Sequence, residues 1–545
     1  MNLTGADWIV RWLEHCGITC VAGVPGGAVL PLYDALAHSR SIRHILARHE
    51  QGAGFIAQGI ARSTGKIGVC IASSGPGATN LVTALADAKL DSVPLVCITG
   101  QVPTALIGTD AFQEVATVQM TTPIAKGSFF VAEPKQLAST FAQAFELAQS
   151  GRPGPVVIDV PKDIQCARVR DWLPAFESGS PPAGDDRYDE VARLLHAAER
   201  PLLYVGGGVR KSRAQTHLRE LSEQAQLPVV STLMALGVMP DEHPMNLGML
   251  GMHGARFTNA AIDECDLLLA IGARFDDRAT GRVDRFAPHA RIVHIDIDPR
   301  EIGKIKQPLI GIADDAQNAL RALLTRARPC NRSHWLARIE RLRADLPLRR
   351  AAESGAARAH RFIRHIAALA GPDAFVTTDV GQHQMWVAQS YPFHRADRWL
   401  TSGGLGTMGF GVPAAIGAAL AHPDATVLCF TGDGSLLMNI QELATLAELQ
   451  ANVKIILFDN AALGLVHQQQ QLFYGGNLMA TRYSRPSDFI TLAHAFGIAA
   501  SDVETSKWST LLTQRGPALL RIPIDANAHV MPMVAPGAAN VEALE

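Results

Sequence analysis

The sequence predicts an α/β protein made of three doubly wound domains, each built around a parallel sheet. Short apolar runs alternate with helix-like stretches along the 545 residues, which is typical of parallel strands covered by helices. Hydrophobic residues make up 48% of the chain, enough for large cores, and this length is expected to hold about three to four domains of roughly 150 residues each. The predicted strands are 44–47, 67–72, 95–99, 156–160, 202–205, 267–271, 292–295, 375–378, 426–430 and 453–458.

Two breaks divide the chain. Residues 173–188 are rich in Pro, Gly, Ser and Asp, which is typical of a linker. Residues 330–360 are charged and rich in Arg with little strand character, and they predict a helical connection. We therefore expect domains over residues 1–172, 189–330 and 361–545.

The composition argues against several classes of function. The net charge is −2 and only 18% of residues are charged, so no basic face for nucleic acid is expected. The eight cysteines form no CxxC pair, which favours reduced thiols in a cytoplasmic protein over disulfides or zinc. The sequence shows no secretory signal and no apolar run of membrane-spanning length, so no membrane segment is expected.

Asp433 and Asn460 are the most informative pair of polar residues. Asp433 lies in the string TGDGS directly after one predicted strand, and Asn460 follows the next strand, 453–458. A helix-like stretch, 436–449, separates them, so both fall at the carboxyl edge of a parallel sheet, where ligands bind. Their oxygens suit Mg²⁺, and the glycines let the backbone approach a diphosphate. We predict a metal–diphosphate anchor, although ordinary surface turns use the same residues.

A second candidate element lies near the N-terminus. Glu50 follows the predicted strand 44–47 and opens a helix, and residues 73–80 (SSGPGATN) form another strand-to-helix turn in the same part of the chain. A glutamate at a helix N-terminus is favoured by the helix dipole alone. In a mostly apolar cleft, however, its pKa would rise and it could exchange protons with a cofactor ring.

Glu50, the Gly-Asp-Gly string at 432–434 and Asn460 together resemble the thiamine diphosphate (ThDP) enzyme superfamily. There a glutamate hydrogen-bonds the cofactor's aminopyrimidine, while Gly-Asp-Gly and a later Asn hold Mg²⁺ and the diphosphate. Further strings resemble the catalytic large subunit of acetohydroxyacid synthase, also called acetolactate synthase, over nearly the whole chain. They are VPGGA at 24–28, GTDAFQE at 108–114, GRPGP at 151–155, PKD at 161–163, GMLGMHG at 248–254, GARFDDR at 272–278, GQHQMW at 381–386 and GLGTMG at 404–409.

The resemblance implies the ThDP-binding fold, with a pyrimidine domain, a central FAD-binding domain and a diphosphate domain. Glu50 would protonate the pyrimidine, and Met408, by itself a plausible core methionine, would sit under the thiazolium. The active sites would lie at the interface of a homodimer. One subunit would line the pyrimidine side with Val24, Pro25, Pro76, Asn80 and Gln113. Its partner would hold the diphosphate and metal with Gly381, Gln382, His383, Gly432, Asp433, Gly434, Ser435, Asn460, Leu463 and Gly464.

The middle domain carries a different pattern. Its Gly-rich turn after the strand 202–205 lacks the GxGxxG spacing, so the residues alone do not indicate dinucleotide binding. Asp296 and Asp298 end another predicted strand and could bind ribose or adenine, or form ordinary turns. The resemblance implies an FAD without net redox role, bound through Arg152, Gly206, Gly207, Gly208, His253, Gly272, Arg274, Asp296, Ile297 and Asp315.

The implied reaction decarboxylates pyruvate on ThDP and transfers the hydroxyethyl group to a second 2-keto acid, in valine, leucine and isoleucine biosynthesis. Pyruvate as acceptor gives 2-acetolactate, and 2-ketobutyrate gives 2-aceto-2-hydroxybutyrate. Arg278 would bind the acceptor's carboxylate, with an ion pair to Asp276 or Asp277 as the alternative role. Lys162 and Phe112 would shape the substrate entrance, unless they are a surface lysine and a core phenylalanine. A small regulatory subunit is a further candidate partner.

One position departs from the family pattern. Gln469 stands where biosynthetic members usually carry Trp, and Leu465 where they carry Met. In the family that Trp packs against the extra methyl group of 2-ketobutyrate and forms part of the herbicide site. We therefore expect a weaker preference for 2-ketobutyrate and resistance to sulfonylurea-type inhibitors.

Three other functions are consistent with parts of the sequence. A different ThDP enzyme, such as a pyruvate oxidase or a 2-keto acid decarboxylase, would share the cofactor residues and differ in its product. A nucleotide-binding regulatory or scaffold protein would need no intact site, and Glu50, Met408, Asp433 and Asn460 argue against it. An NAD-dependent dehydrogenase is disfavoured because the GxGxxG string is missing.

Overall fold

The computed structural model describes residues 2–170, 172–174, 187–348, 356–505 and 508–545. Within them the chain forms three six-stranded sheets, and the strand pairs of these sheets are parallel. Helices alternate with the strands along the chain. The prediction of three doubly wound α/β domains is confirmed.

The N-terminal domain carries the first sheet. Its strands are β1 (Asn2–Thr4), β2 (Cys20–Gly23), β3 (Arg43–Leu46), β4 (Gly68–Ala72), β5 (Leu95–Gln101), β6 (Gly127–Phe130), β7 (Pro155–Pro161) and β8 (Arg168–Arg170). Its helices are α1 (Gly5–His15), α2 (Leu30–Ala37), α3 (Glu50–Thr64), α4 (Pro76–Thr79), α5 (Val82–Leu90), α6 (Thr117–Thr121), α7 (Leu137–Gln149) and α8 (Lys162–Cys166). The sheet order is β3-β2-β4-β5-β7-β6, and β1 pairs with β8 outside it.

The central domain carries the second sheet. Its strands are β9 (Pro201–Val205), β10 (Val229–Ser231), β11 (Asn246–Met249), β12 (Leu267–Ile271), β13 (Arg291–Asp296) and β14 (Ile310–Ala313). Its helices are α9 (Tyr188–Ala197), α10 (Gly207–Lys211), α11 (Gln215–Gln224), α12 (Arg256–Glu264), α13 (Asp277–Thr280), α14 (Ala316–Leu324) and α15 (Ser333–Asp345). The sheet order is β11-β10-β9-β12-β13-β14.

The C-terminal domain carries the third sheet. Its strands are β15 (Phe375–Thr378), β16 (Trp399–Leu400), β17 (Val427–Gly432), β18 (Val453–Asp459), β19 (Ala499–Asp502) and β20 (Ala518–Pro523). Its helices are α16 (Ala357–Ala370), α17 (Gln382–Ser390), α18 (Gly411–Ala421), α19 (Asp433–Met438), α20 (Glu442–Leu449), α21 (Gly464–Phe473), α22 (Phe489–Ala495) and α23 (Trp508–Thr513). The sheet order is β16-β15-β17-β18-β20-β19.

Short 3-10 turns complete the regular structure of the described residues. They are Thr104–Leu106, Pro134–Gln136, Leu233–Ala235, Val283–Arg285, Ala396–Arg398 and Asn540–Glu542.

The N-terminal and C-terminal domains pack through helices α3 and α18. Glycines let these helices approach closely, since a Cβ on Gly59 would lie 2.1 Å from Ala414 O and one on Gly417 would lie 2.0 Å from Ile56 O. His49 caps the start of α3 by accepting the Gln51 N–H at 3.1 Å. The crossing fixes the direction of the helix that carries Glu50.

The structure modifies one of the predicted connections, and two others lie partly outside the described residues. The single helix expected over 436–449 is divided into α19 and α20, because Asn439 leaves the helical region at φ −138° and donates its side-chain amide to Gly409 O at 2.8 Å. The connection over 330–360 contains α15 and the start of α16, but its residues 349–355 lie outside the described residues. Most of the expected linker, 175–186, also lies outside them.

The cysteines and the helices bear on two further expectations. All eight cysteines are free, and Cys70, Cys97, Cys265 and Cys429 are buried. In the described part of the chain, no helix is both long and apolar enough to cross a membrane.

Candidate active site

Glu50 lies at the carboxyl edge of the first sheet, as the first residue of α3. Its Oε2 accepts a hydrogen bond from Asn80 Nδ2 at 2.9 Å. A Cβ on Gly77 would lie 3.4 Å from its Oε1, so the glycine leaves space beside that oxygen. The structure therefore brings Glu50 together with the turn at residues 73–80.

Gln113 approaches the same turn from an exposed loop. A Cβ on Gly75 would lie 2.8 Å from Gln113 O and 2.9 Å from its Cα, and Gly75 has a φ of 56°, so a side chain there would be both crowded and strained. Pro76 follows as the first residue of α4. The turn and the loop of Gln113 thus form one surface.

Val24 and Pro25 complete this edge of the sheet. They directly follow β2, and the next residue, Gly26, packs against Ser73, because a Cβ on Gly26 would lie 2.5 Å from Ser73 Oγ. We call the residues at this edge the Glu50 cluster. Its members are Val24, Pro25, Glu50, Gly75, Pro76, Gly77, Asn80 and Gln113.

Asp433 and Asn460 lie side by side at the carboxyl ends of the neighbouring strands β17 and β18. Asp433 Oδ2 and Asn460 Oδ1 both accept the Ala462 N–H, each at 3.1 Å. Burial raises the pKa of Asp433 to about 7; Asp459 adds to this shift, and the Gly434 N–H opposes it. A buried carboxylate beside a second hard oxygen is an arrangement that a divalent cation would stabilise.

Gln382 connects Asn460 to the interior of the domain. Its Oε1 accepts Asn460 Nδ2 at 3.2 Å, and its Nε2 donates to Gln468 Oε1 at 3.0 Å and to Ala528 O at 2.7 Å. A Cβ on Gly464 would lie 2.2 Å from Gln382 Oε1. The start of α21 therefore has no room for a side chain at this position.

His383 lies beside Gly432 on the same edge. A Cβ on Gly432 would lie 3.0 Å from His383 Nδ1. Burial lowers the pKa of His383 to about 3, so its ring is neutral, and its buried Nε2 has no hydrogen-bond partner among the described residues. His383 belongs to helix α17, whose N-cap is Gly381. On the same edge, Ser435 Oγ donates to Val380 O at 2.8 Å. An unpaired buried nitrogen is a position where a ligand or water is expected.

Met408 packs against the Gly-Asp-Gly turn. A Cβ on Gly434 would lie 3.5 Å from Met408 Cε, 2.7 Å from Leu463 Cδ2 and 2.7 Å from Tyr483 Oη. Met408 is only partly buried, so it is not a core methionine. We call this second group the Asp433 cluster. Its members are Gly381, Gln382, His383, Met408, Gly432, Asp433, Gly434, Ser435, Asn460, Leu463 and Gly464.

A cavity of about 880 Å³ lies where the three domains meet. Glycines form one wall, since a Cβ on Gly206 would lie 2.1 Å from Gly272 O and one on Gly208 would lie 2.6 Å from Gly272 Cα. Burial raises the pKa of Asp296 at the end of β13 to about 6. The residues expected to bind FAD all line this cavity: Arg152, Gly206, Gly207, Gly208, His253, Gly272, Arg274, Asp296, Ile297 and Asp315.

The cavity also contains the residues expected to contact the acceptor substrate. Arg278, Leu465 and Gln469 line it. The Arg278 guanidinium has one weak ion pair, Nε to Asp277 Oδ2 at 3.7 Å, and both side chains are exposed. Asp276 instead caps α13 by accepting the Ala279 N–H at 3.2 Å. Arg278 Nη1 also contacts Met252 Sδ at 3.6 Å, so among the described residues the guanidinium makes only weak contacts.

The two residues expected at the substrate entrance lie in the N-terminal domain. Phe112 is 87% exposed, which excludes the alternative of a core phenylalanine. Lys162 is half-buried and begins α8 directly after β7.

Three supporting residues were not singled out from the sequence. Tyr483 crowds Gly434, Gln468 holds Gln382, and Asp379 accepts the Gly409 N–H at 2.7 Å. Gln468 occurs in a run of four glutamines, 468–471, which gives no local sign that one of them is buried. Each contact joins segments that are distant in the chain, so no local pattern could have revealed it.

Comparison with known proteins identifies the family. The N-terminal, central and C-terminal domains of thiamine pyrophosphate enzymes match residues 3–120, 188–323 and 379–521. The chain is 52% identical to the acetolactate synthase isozyme 1 large subunit of Escherichia coli K12, over 99% of this chain and 97% of that protein. It is 46% identical to the isozyme 2 large subunit of the same organism over 100% of both chains, and 45% identical to the Corynebacterium glutamicum acetolactate synthase large subunit over 99% of this chain and 90% of that protein. The chain therefore belongs to the acetolactate synthase large-subunit family of thiamine pyrophosphate enzymes.

Proposed function

We propose that this protein catalyses the acetolactate synthase reaction in branched-chain amino acid biosynthesis. Pyruvate loses CO₂, and the remaining two-carbon unit joins a second 2-keto acid, either pyruvate or 2-ketobutyrate. The observation that carries the proposal is the pair of polar clusters around Glu50 and Asp433, each at the carboxyl edge of a parallel sheet, where ligands bind in such folds. The names of the relatives support the choice of reaction.

The Asp433 cluster fits ThDP with Mg²⁺. A Cβ on Gly432, Gly434 or Gly464 would crowd neighbouring side chains of the cluster. The unpaired His383 Nε2 offers a contact for a bound group. Among the described residues, no group of three His, Cys, Asp or Glu side chains could hold a metal. Mg²⁺ would rest on Asp433 and Asn460, whose side-chain oxygens both accept the Ala462 N–H, and would take its other ligands from the diphosphate and water.

The central cavity fits FAD. Its volume suits a large ligand. Gly206, Gly208 and Gly272 let two turns of the main chain pack directly against each other, so a bound group at this wall would meet backbone rather than side chains. Asp296 ends β13 in the position from which an acidic residue can bind a ribose hydroxyl. We propose this cavity as the flavin site.

The roles of the side chains follow from their contacts. ThDP, when bound, supplies the electron sink for loss of CO₂ from a 2-keto acid. Glu50 holds or gives up a proton at Oε1, because Asn80 already occupies Oε2. Met408 supports the bound cofactor beside Gly434. Arg278 orients the acceptor by binding its carboxylate with two parallel hydrogen bonds.

We also propose that the active sites form between two chains. The Glu50 cluster lies on the first sheet and the Asp433 cluster on the third, and they share no residue. Exposed apolar side chains flank both: Ile107 and Phe112 are 41% and 87% exposed, and Met438 at the end of α19 is 52% exposed. A partner chain would remove these surfaces from water. The large-subunit names of the relatives also support a small regulatory subunit, and the free thiols support the expected cytoplasmic location.

The reaction is tested by incubating the purified protein with pyruvate, with and without 2-ketobutyrate, while omitting ThDP, Mg²⁺ or FAD in turn. We expect acetolactate only when all three are present. Acetyl phosphate with peroxide would indicate an oxidase, and free acetaldehyde a decarboxylase. No turnover under any condition would contradict the proposal.

The shared site is tested by mixing two inactive variants, Glu50→Gln and Asp433→Ala. If each site takes Glu50 from one chain and Asp433 from the other, random mixed dimers regain one intact site. The mixture then recovers about a quarter of wild-type activity after subunit exchange. No recovery in mixed dimers would show that each site belongs to one chain.

A further inference from the structure

The loop of residues 402–407, here called the junction loop, is held between two other domains. A Cβ on Gly403 would lie 2.3 Å from Met234 Sδ in the central domain. A Cβ on Gly404 would lie 2.8 Å from Leu90 Cβ in the N-terminal domain. The loop therefore contacts both domains through positions that leave no room for side chains.

Two buried carboxylates from the N-terminal domain fix this loop. Asp91 accepts both glycine N–H groups, at 3.1 and 2.8 Å. Asp87 accepts the hydroxyl groups of Ser402 and Thr407, the latter at 3.0 Å. Both ends of the junction loop are thus bound to helix α5 and its C-cap residue, Asp91.

Arg62 pairs with both carboxylates. Its guanidinium donates to Asp87 at 2.7 Å and to Asp91 at 2.9 Å, and it also donates to Thr401 O at 2.9 Å. Arg62 and both carboxylates are buried. A buried polar network whose members are all paired favours one arrangement over others, because moving any one of them would leave a charge unpaired. Arg62 belongs to α3, the helix that begins at Glu50.

The junction loop and the C-terminal end of α5 form a wall of the central cavity. Residues 402–406 line the cavity together with Asp91 and Ser92. Lys211, which also lines it, donates to Asp91 O and to Ser92 O, the latter at 2.9 Å, and Arg152 Nε donates to Ser92 Oγ at 2.9 Å. A ligand in the cavity would therefore rest against the residues that hold the junction loop.

Met408 directly follows this loop. After Met408 the backbone is fixed again, because Asp379 accepts the Gly409 N–H at 2.7 Å. Met408 in turn packs toward Gly434. A shift of the junction loop would change the position of Met408 relative to the Asp433 cluster.

We propose that Asp87 and Asp91 are positioning residues for Met408, and that through them FAD in the central cavity and ThDP–Mg²⁺ at the Asp433 cluster strengthen each other's binding. This inference rests on the proposed function, since it takes both cofactors from it. Each ligand favours the arrangement of the junction loop that the structure shows. Once one ligand has stabilised this arrangement, the second ligand binds more tightly. Two ligands that favour one arrangement are coupled, and the coupling is reciprocal.

The test measures binding, so it does not depend on turnover. The affinity for FAD is measured by flavin fluorescence with and without saturating ThDP–Mg²⁺. The affinity for ThDP–Mg²⁺ is measured by tryptophan fluorescence with and without saturating FAD. In the wild type we expect each ligand to lower the Kd of the other by one common factor, in the range of about 5- to 150-fold typical of coupled sites.

Two variants address the junction by different routes. Asp91→Asn removes the charge that pairs with Arg62. Gly404→Ala keeps every ionisable group but adds a Cβ that would lie 2.8 Å from Leu90 Cβ and 2.9 Å from Asp91 Oδ1, so the loop has to move. Because Asp91 and Gly404 line the cavity, the affinity of each variant for FAD alone is measured first. We expect both variants to reduce the coupling factor toward one. Asp373→Asn, an exposed carboxylate paired with Arg395, is the control and should keep the wild-type factor. If Asp91→Asn fails to fold, Gly404→Ala still decides the question.

The outcomes separate this inference from the proposed function. A wild-type protein that binds both cofactors with a coupling factor of one would refute the coupling and leave the proposed function intact. If both variants keep the coupling factor of the wild type, the role of the junction loop is refuted. Binding of only one cofactor would overturn the proposed function together with this inference.

Discussion

The replacement Gln469→Trp tests how the cavity selects the acceptor. Gln469 and Leu465 lie four residues apart on α21, hence on one face of that helix, and both line the cavity that also contains Arg278. With the carboxylate of the acceptor bound by Arg278, the 2-keto acid side chain would extend along a wall that includes Gln469. The amide of Gln469 favours hydration and offers that side chain little apolar surface.

The size of the effect follows from the one methylene by which 2-ketobutyrate exceeds pyruvate. Burying a methylene contributes about 0.8 kcal/mol, or roughly a fourfold preference. A closely fitted apolar pocket can raise this to about 3 kcal/mol, or roughly 150-fold. We expect the wild type to lie near the lower value or below it, and Trp at position 469 to move the preference toward the higher one.

The assay is a competition in which pyruvate and 2-ketobutyrate are supplied together and 2-acetolactate and 2-aceto-2-hydroxybutyrate are quantified. The ratio of products, divided by the ratio of acceptors, is the specificity. Gln471→Trp is the matched control, because Gln471 lies on the same helix but donates to Asn527 at 3.0 Å instead of lining the cavity. The control should change the specificity little.

The Gln469→Trp variant should also gain sensitivity to sulfonylurea-type inhibitors, which the wild type should resist. If the wild type already prefers 2-ketobutyrate strongly and Gln469→Trp leaves the ratio unchanged, the reasoning about this wall is wrong. If Gln471→Trp changes the ratio as much as Gln469→Trp, the effect does not come from the cavity.

Three further predictions concern the two clusters and the core. Glu50→Gln should slow both turnover and exchange of the C2 proton of bound ThDP, followed by NMR, by about 10²–10⁴-fold, and near-wild-type exchange would contradict the role of Glu50. Asp433→Ala should weaken Mg²⁺ and ThDP together while FAD still binds; unchanged ThDP affinity in a titration would rule out the metal role. Burial raises the pKa of Asp159 to about 7 from an ordinary value of 3.8, so the folded protein keeps a proton that the unfolded chain has already lost. The stability that this proton provides is complete below about pH 4 and is lost as the pH rises through 7. Asp159→Asn removes this dependence, so the stability of the variant and of the wild type, followed by thermal unfolding, should differ in its slope against pH between about pH 4 and 7. Parallel curves would show that Asp159 does not titrate there.

The sequence determined the architecture and the residues of the two clusters. Buried parallel strands are continuous apolar runs, so β4, β5, β7, β12, β15, β17 and β18 could be located from composition alone. Polar residues directly after such strands must fall at one edge of the sheet, and this is why Glu50, Asp433 and Asn460 could be selected. Ten strands of the described residues were not predicted: the edge strands β6, β11, β14, β16 and β19, the interior strands β2, β10 and β20, and the β1–β8 pair. All except β20 are four residues or shorter, which is too short for a distinct apolar run.

Only the tertiary structure decided which polar groups meet. Asp91 and Gly404 lie 313 residues apart in the chain and are joined by a hydrogen bond of 2.8 Å. The structure also shows that Asn80, 30 residues from Glu50, occupies one oxygen of that carboxylate. Local periodicity reports whether a residue faces the core, but the partner of a polar side chain depends on how separate domains dock. The sequence therefore defines which side chains are candidates for the chemistry, and the packing of three domains around one cavity defines which of them meet.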